Sequence, residues 1–371
     1  MATAKLDTSI RLNHSQTAAV IEALGATNSI MVVGPIGSGK SSLLASLAAQ
    51  HGDKWRKWGD YYPEDKRVYC PFECANMDYS GLGMLIPDHK TRSMDFYTAA
   101  AFHMDDPRPH VIMFDERGKM AKGLQALVTT VDLERTIGGK PLPQGSIVFS
   151  TTNLASDGVG DFLPAHSYNR MILINYAAPG VEEWCEWATG VGLSSELRAA
   201  ASMNRQWFGC YSQGDQNGEI FHPQTNNKTF VSRRSLAKCD PILRLKGKLS
   251  DRAVEAALAG TIGQAAASKM MTILSVRNLI ESPENIIAAP ATCKVPEDIG
   301  ALYLSMFNAL DAIATQDDMT AVVSWMQRAR SVEMESVLFT VIMRNKKLAP
   351  MGARNPAVRQ WAQANRDMLE V

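Results

Sequence analysis

Three short stretches of this sequence carry residue types and spacings that can do chemistry. The first is the loop Gly34, Pro35, Ile36, Gly37, Ser38, Gly39, Lys40 and Ser41, with Ser42 behind it. The G-x4-G-K-S spacing lies between an apolar run and a helical period, the setting a phosphate-binding loop requires. Glycines let backbone approach phosphate closely, and N–H groups at a helix N-terminus favour anionic charge. Lys40 can neutralise phosphate oxygens, and the Ser41 hydroxyl can take one position on a Mg²⁺ ion. The second stretch is Val-Ile-Met-Phe-Asp115-Glu116, four apolar residues ending in two acids. Asp115 is read as holding magnesium through water, and Glu116 as orienting and polarising an attacking water. The third is Ser150-Thr151-Thr152-Asn153. Asn153 can hydrogen-bond the water or a γ-phosphate, and it can equally be a strand-end turn residue.

These residues need a scaffold that brings three strand ends to one edge. Ser29 to Val33 is short, continuously apolar and followed at once by the glycine loop, as expected of a buried parallel strand. A helix over residues 14–25, capped by Asn13 or Ser15, precedes it, and another resumes at Lys40 with Leu43, Leu44, Leu47 and Ala48 on one face. Further strands are predicted at Arg67 to Pro71, Val111 to Phe114, Ser146 to Thr151 and Met171 to Asn175. Alternation with helical periods predicts an α/β layered sheet, an αβα sandwich in which ligands bind at the C-terminal strand ends. Met120, Leu124, Leu127, Val128 and Val131 predict one face of a helix ending near Glu134. The Gly138-Gly139 turn predicts a β-hairpin insert near 135–145.

Pro179-Gly180 closes the α/β region at about residue 179. Beyond it the periods are all helical: a lid over 180–289 and an extension over 290–371. Single helices are predicted at 193–207, 251–279, 296–314 and 319–343, with a break or kink at Pro241 inside the helix over 232–246. Gly209 to Thr229 reads as a surface loop. Trp184 and Trp187 read as helix packing, and six scattered cysteines read as buried thiols.

The chain has 371 residues, 46% hydrophobic and 20% charged, with a formal net charge of zero. The zero balance removes the simplest argument for nonspecific nucleic-acid binding and slightly favours self-association. Residues 1–16 lack an apolar signal core, and no stretch approaches the roughly 20 apolar residues that span a bilayer, so a cytoplasmic location without membrane insertion is expected.

Taken together, the loop at 34–41, the acid pair at 115 and 116, the hairpin insert, Thr151-Thr152-Asn153 and the segment Leu163 to Arg170 resemble AAA+ ATPases of the MoxR group over roughly residues 10–285. The resemblance implies ATP and Mg²⁺ as ligands, a hexameric ring, Asn153 as sensor 1, and Arg170 as an arginine finger completing the neighbouring subunit's site. Sensor 2 falls in Val231 to Ser235, on Arg234 or alternatively Arg233, with arginine where the group usually has proline. Arg117 and Arg135 correspond to positions lining the subunit boundary, although solvated arginines are the plainer reading. Asp78 to Met84 is either a pore-side loop or a plain turn. Group members often work with a partner protein bearing a von Willebrand factor A domain.

The expected function is therefore ATP-driven remodelling of a partner protein by a homo-oligomeric ring. A nucleic-acid motor or loader is the alternative, drawing on the basic pairs Arg233-Arg234 and Lys346-Lys347. A third reading, a nucleotide-gated scaffold without turnover, is disfavoured by the presence of Glu116.

Overall fold

A computed structural model describes residues 10–50, 67–154, 165–225 and 228–369. The chain divides into two compact units, Met1–Ala178 and Pro179–Val371.

The first unit begins with α1 (His14–Leu24), capped at Asn13, whose side chain accepts from the Gln16 N–H while the Gln16 side chain accepts from the Asn13 N–H. This reciprocal box settles the cap on Asn13 rather than Ser15. Then come β1 (Ser29–Gly34), a 3₁₀ turn (Lys40–Ser42), α2 (Leu43–Gln50), β2 (Val68–Glu73), β3 (Gly83–Asp88), β4 (Ser93–Thr98), β5 (His110–Asp115) and α3 (Lys122–Glu134). The unit closes with β6 (Thr136–Ile137), β7 (Lys140–Pro141), β8 (Ile147–Asn153), α4 (Ala165–Tyr168) and β9 (Met171–Asn175). Five strands form one parallel sheet in the order β2-β5-β8-β1-β9.

Alternation along these strands buries both faces. Ile30, Val32, Val111, Met113, Ile147 and Phe149 meet α1 and α2 on one side. Cys70, Ile112, Phe114 and Val148 meet Leu124, Val128 and Val131 of α3 on the other. The architecture is thus a P-loop αβα sandwich followed by a helical region, as expected. Leu127, assigned to the buried face of α3, is instead 43% exposed.

The β6–β7 hairpin forms around Gly138-Gly139, both at positive φ. A second hairpin, β3–β4, was not anticipated. It pairs Met84 with Tyr97 and Leu85 with Phe96, and it leaves Met84, Leu85, Ile86, Met94 and Tyr97 exposed. Its turn is held by Asp88, whose carboxylate accepts from the Lys90 N–H and the Thr91 hydroxyl. The stretch Asp78 to Met84 leads into it through a 3₁₀ turn (Tyr79–Gly81) anchored on Asp78.

The second unit is helical throughout: α5 (Val181–Gly190), α6 (Ser195–Met203), α7 (Arg233–Leu243), α8 (Asp251–Ile262), α9 (Gln264–Ser275), α10 (Pro283–Ala288), α11 (Ile299–Ala312), α12 (Gln316–Gln327), α13 (Val332–Arg344), α14 (Ala349–Gly352), α15 (Pro356–Ala364) and α16 (Arg366–Leu369). One apolar cluster runs from Val181 to Val358, through both the stretch read as a lid and that read as an extension. Three single-helix expectations are corrected. Asn204, at φ −120 and ψ 57, separates α6 from a 3₁₀ turn (Arg205–Phe208). Gly263, at φ 85, separates α8 from α9, and Arg330, at φ 51, with the Ser331 cap separates α12 from α13. Pro241 lies inside α7, which runs only two residues beyond it to Leu243 instead of reaching 246. All six cysteines are free and buried. Trp184 and Trp187 pack on each other with ring centroids 6.1 Å apart.

A Cβ at Gly138 would fall 1.9 Å from the Phe96 ring, whereas at Gly139 it would meet nothing within 4 Å. Gly139→Ala therefore carries only the left-handed strain of about 1 kcal/mol, and Gly138→Ala adds overpacking of about 1–3 kcal/mol. Thermal midpoints should fall further for Gly138→Ala; the reverse ranking would contradict the hairpin contact.

Candidate nucleotide site

The register of β1 against β8 sets Gly34 directly opposite Asn153, so the phosphate loop and the Asn side chain leave the sheet at the same edge. The loop turns through Gly37 (φ 67) and Gly39 (φ 96), conformations that side chains with a Cβ rarely adopt, before entering the helical turn at Lys40. Lys40 is 7% exposed, and its ammonium donates to the carbonyls of Gly34 (2.8 Å) and Pro35 (2.7 Å) and to Asn153 Oδ1 (3.1 Å). Ser38 and Ser42 brace the loop by donating to Pro35 O and Gly39 O.

β5 ends at Asp115 on the same edge. The Thr151 hydroxyl from β8 donates to Asp115 Oδ1, and the same hydroxyl oxygen accepts the Glu116 N–H at 3.1 Å. Thr151 therefore ties both acids to the β8 strand end, a role the sequence reading did not give it. Glu116 lies at φ 53, ψ 41, a left-handed conformation that costs a non-glycine residue about 1–2 kcal/mol. Its carboxylate pairs with Lys119 at 2.6 Å, both side chains about one-third exposed.

The donor set suits a nucleoside triphosphate with a hard cation. The Ser41 hydroxyl and the Asp115 carboxylate are oxygen ligands of the kind Mg²⁺ takes. Among the described residues no group of three or more His, Cys, Asp or Glu side chains can hold a metal by itself. An ion here would need phosphate oxygens and water to complete its shell.

The structure keeps other predicted residues away from this cluster. Arg170 is half-buried and immediately precedes β9, whose Met171 pairs with Ser29 at the start of β1. It therefore lies at the N-terminal edge of the sheet, roughly 15–20 Å of strand from the loop of its own chain. Leu163 and Pro164 of its segment lie outside the described residues. Arg117 corrects the expectation of a boundary or solvated residue: it is fully buried and forks onto Asp132 at 2.8 and 2.5 Å. Arg135 turns inward too, donating to the Gly25 carbonyl at 3.1 Å.

In the second unit, Arg233 donates to the carbonyls of Pro179 and Phe208 and stacks over the Phe208 ring, so it anchors α7. Arg234 is exposed. Of the two sensor-2 candidates, Arg234 has the side chain available to a ligand.

Behind the phosphate loop, His14 Nδ1 lies 2.9 Å from the Tyr176 hydroxyl and Nε2 lies 2.7 Å from Ser46 Oγ, linking α1, α2 and the end of β9. Burial pushes the His14 pKa below 6.5, and burial does the same to His110 at the start of β5. Both are kept neutral in the folded chain, so the stability they support is complete above about pH 6.5. It is lost as pH falls from there toward the lower folded values, because the unfolded chain takes up the protons first. The thermal midpoint should accordingly drop on acidification from pH 7 to 5.5, with a shallower drop in His14→Gln. An unchanged slope in that variant would show that His14 does not contribute.

No family model and no curated protein matches this sequence. Solved structures similar to this chain include a RuvB mutant from Thermotoga maritima, at 13% identity and TM-score 0.37, covering 75% of this chain and 74% of that one. They also include NtrX from Brucella abortus (12%, TM-score 0.31, 71% and 68% covered) and C. elegans PCH-2 (17%, TM-score 0.31, 71% and 67% covered). At these scores the likeness carries no functional argument.

Proposed function

We propose that this chain is an AAA+ ATPase, similar to the MoxR group, that hydrolyses ATP in an oligomeric ring and uses the energy to remodel a partner protein. The observation that carries the reading is the convergence of Lys40, Asp115, Glu116 and Asn153 at one sheet edge, with Lys40 and Asn153 in direct contact.

ATP would seat its β- and γ-phosphates on residues 34–42, exchanging the carbonyl partners of Lys40 for phosphate oxygens. Mg²⁺, held by Ser41 and, through water, Asp115, would supply charge neutralisation between the phosphates. Glu116 would leave Lys119, orient the attacking water and accept its proton. Asn153, already beside Lys40, would bond the γ-phosphate or that water. Phosphoryl transfer spreads negative charge that a guanidinium from a neighbouring subunit would meet. The place of Arg170 at the opposite edge supports its use on a neighbour's ATP. Arg234 would act as sensor 2.

Protein rather than nucleic acid is the favoured partner. The β3–β4 hairpin exposes five large apolar side chains, Met84, Ile86 and Tyr97 on one face and Leu85 and Met94 on the other, and exposed apolar surface is a mark of interaction sites. The basic pairs are partly spent inside the fold, Arg233 on Pro179 and Phe208 and Lys347 on the Ile313 carbonyl. Among the described residues no helix is long and apolar enough to cross a membrane.

Glu116→Gln is expected to bind ATP with unchanged affinity while turnover falls at least about 10²-fold. Full turnover would remove Glu116 from the mechanism. Arg170→Ala should lower turnover by about 10³-fold without loss of binding, and mixing it with Lys40→Ala subunits should restore part of the activity. Absence of rescue at every mixing ratio would count against shared sites.

A further inference from the structure

Arg117 is the largest charged side chain fully removed from water in the first unit, and the hydrolytic steps above make no use of it. It directly follows Glu116, and its guanidinium runs back beneath the sheet. There it meets Asp132 of α3 through both Nη atoms, Ser150 Oγ of β8 at 3.2 Å, and the sulfur of Met171 at 3.5 Å. The side-chain exposures of the ion pair are 0% and 1%.

A pair this deep contributes little that apolar side chains of equal volume would not also provide, because desolvating two charges offsets most of their attraction. What it adds is geometry. A guanidinium held by a bidentate carboxylate and a hydroxyl has one position, so the backbone of residue 117 has one position also. Residue 116 lies between that anchor and the Thr151 hydroxyl, which holds its N–H. The two fixed points leave the intervening residue in its left-handed conformation, which sets the direction in which its side chain leaves the backbone.

We propose that Arg117, with Asp132, is a positioning residue for Glu116: the buried ion pair aims the carboxylate at the attacking water. This rests on the reading of Glu116 as the group that activates water. It differs from a purely structural staple between α3 and the sheet, which would serve folding and leave turnover alone.

The test uses the full chain with Arg117→Met and Asp132→Leu combined, which removes both charges while keeping apolar volume. ATP affinity should stay within about twofold of wild type while kcat falls about 10²-fold, the scale of a 1 Å misplacement of a reacting group. Adding Glu116→Gln to this background should lower kcat no further, since both changes act on one step. A kcat within twofold of wild type, or losses that multiply with Glu116→Gln, would overturn the proposal. Should the charge-free pair fail to fold, Arg117→Lys decides, because it keeps the charge and loses the fork: reduced kcat at unchanged KM supports positioning, and unchanged kcat overturns it. Wild-type turnover in Glu116→Gln alone would remove the premise and the proposal with it. An inactive Glu116→Gln beside fully active Arg117 variants would overturn the positioning role only.

Discussion

The parallel pairing of Ser29–Gly34 with Ile147–Asn153 is the constraint on which the site depends. With Gly34 opposite Asn153, the loop that follows one strand opens beside the side chain that ends the other, and Lys40 reaches across 3.1 Å. The same register points Phe149 toward α1 and α2, and Val148 toward α3. A slip of one residue would exchange those faces and move Asn153 away from Gly34, so packing of the core and assembly of the site are the same event. β5 completes the edge by pairing with β8, and Thr151 converts that adjacency into bonds to Asp115 and the Glu116 backbone.

The central strands and the site on them were readable because each carries two signals at once. Val111 to Phe114 is a buried strand by composition, and the acids that end it mark the edge at which it stops. The β3–β4 hairpin lacked such a second signal: Met84, Leu85 and Ile86 form an apolar run that is exposed, contrary to the burial that apolarity ordinarily indicates. The breaks at Gly263 and Arg330 were hidden by helical periods that continue on either side of a single left-handed residue. Pro241, a breaker in sequence, is accommodated inside α7, which ends two residues later. Arg117 was legible as an arginine and illegible as a buried one, because its burial depends on Asp132 fifteen positions later, brought beneath the sheet by the return of α3.

The charged groups at the site edge are paired within the chain. Lys40 is satisfied by backbone carbonyls and Asn153, and Glu116 by Lys119. Each pairing neutralises a charge that phosphate chemistry would use, and each is made of partners a triphosphate can displace. The second unit follows the same economy of charge. Arg233 is committed to carbonyls within its own unit, while Arg234, one residue on, is left exposed.

We propose that each chain holds part of a hydrolytic site, completed by Arg170 of a neighbouring subunit. The most direct measurement is ATP turnover per chain across a dilution series, with the oligomeric state followed by light scattering on the same samples. Turnover per chain should collapse as the assembly dissociates and return when the protein is reconcentrated. Constant turnover per chain in samples shown to be monomeric would contradict it.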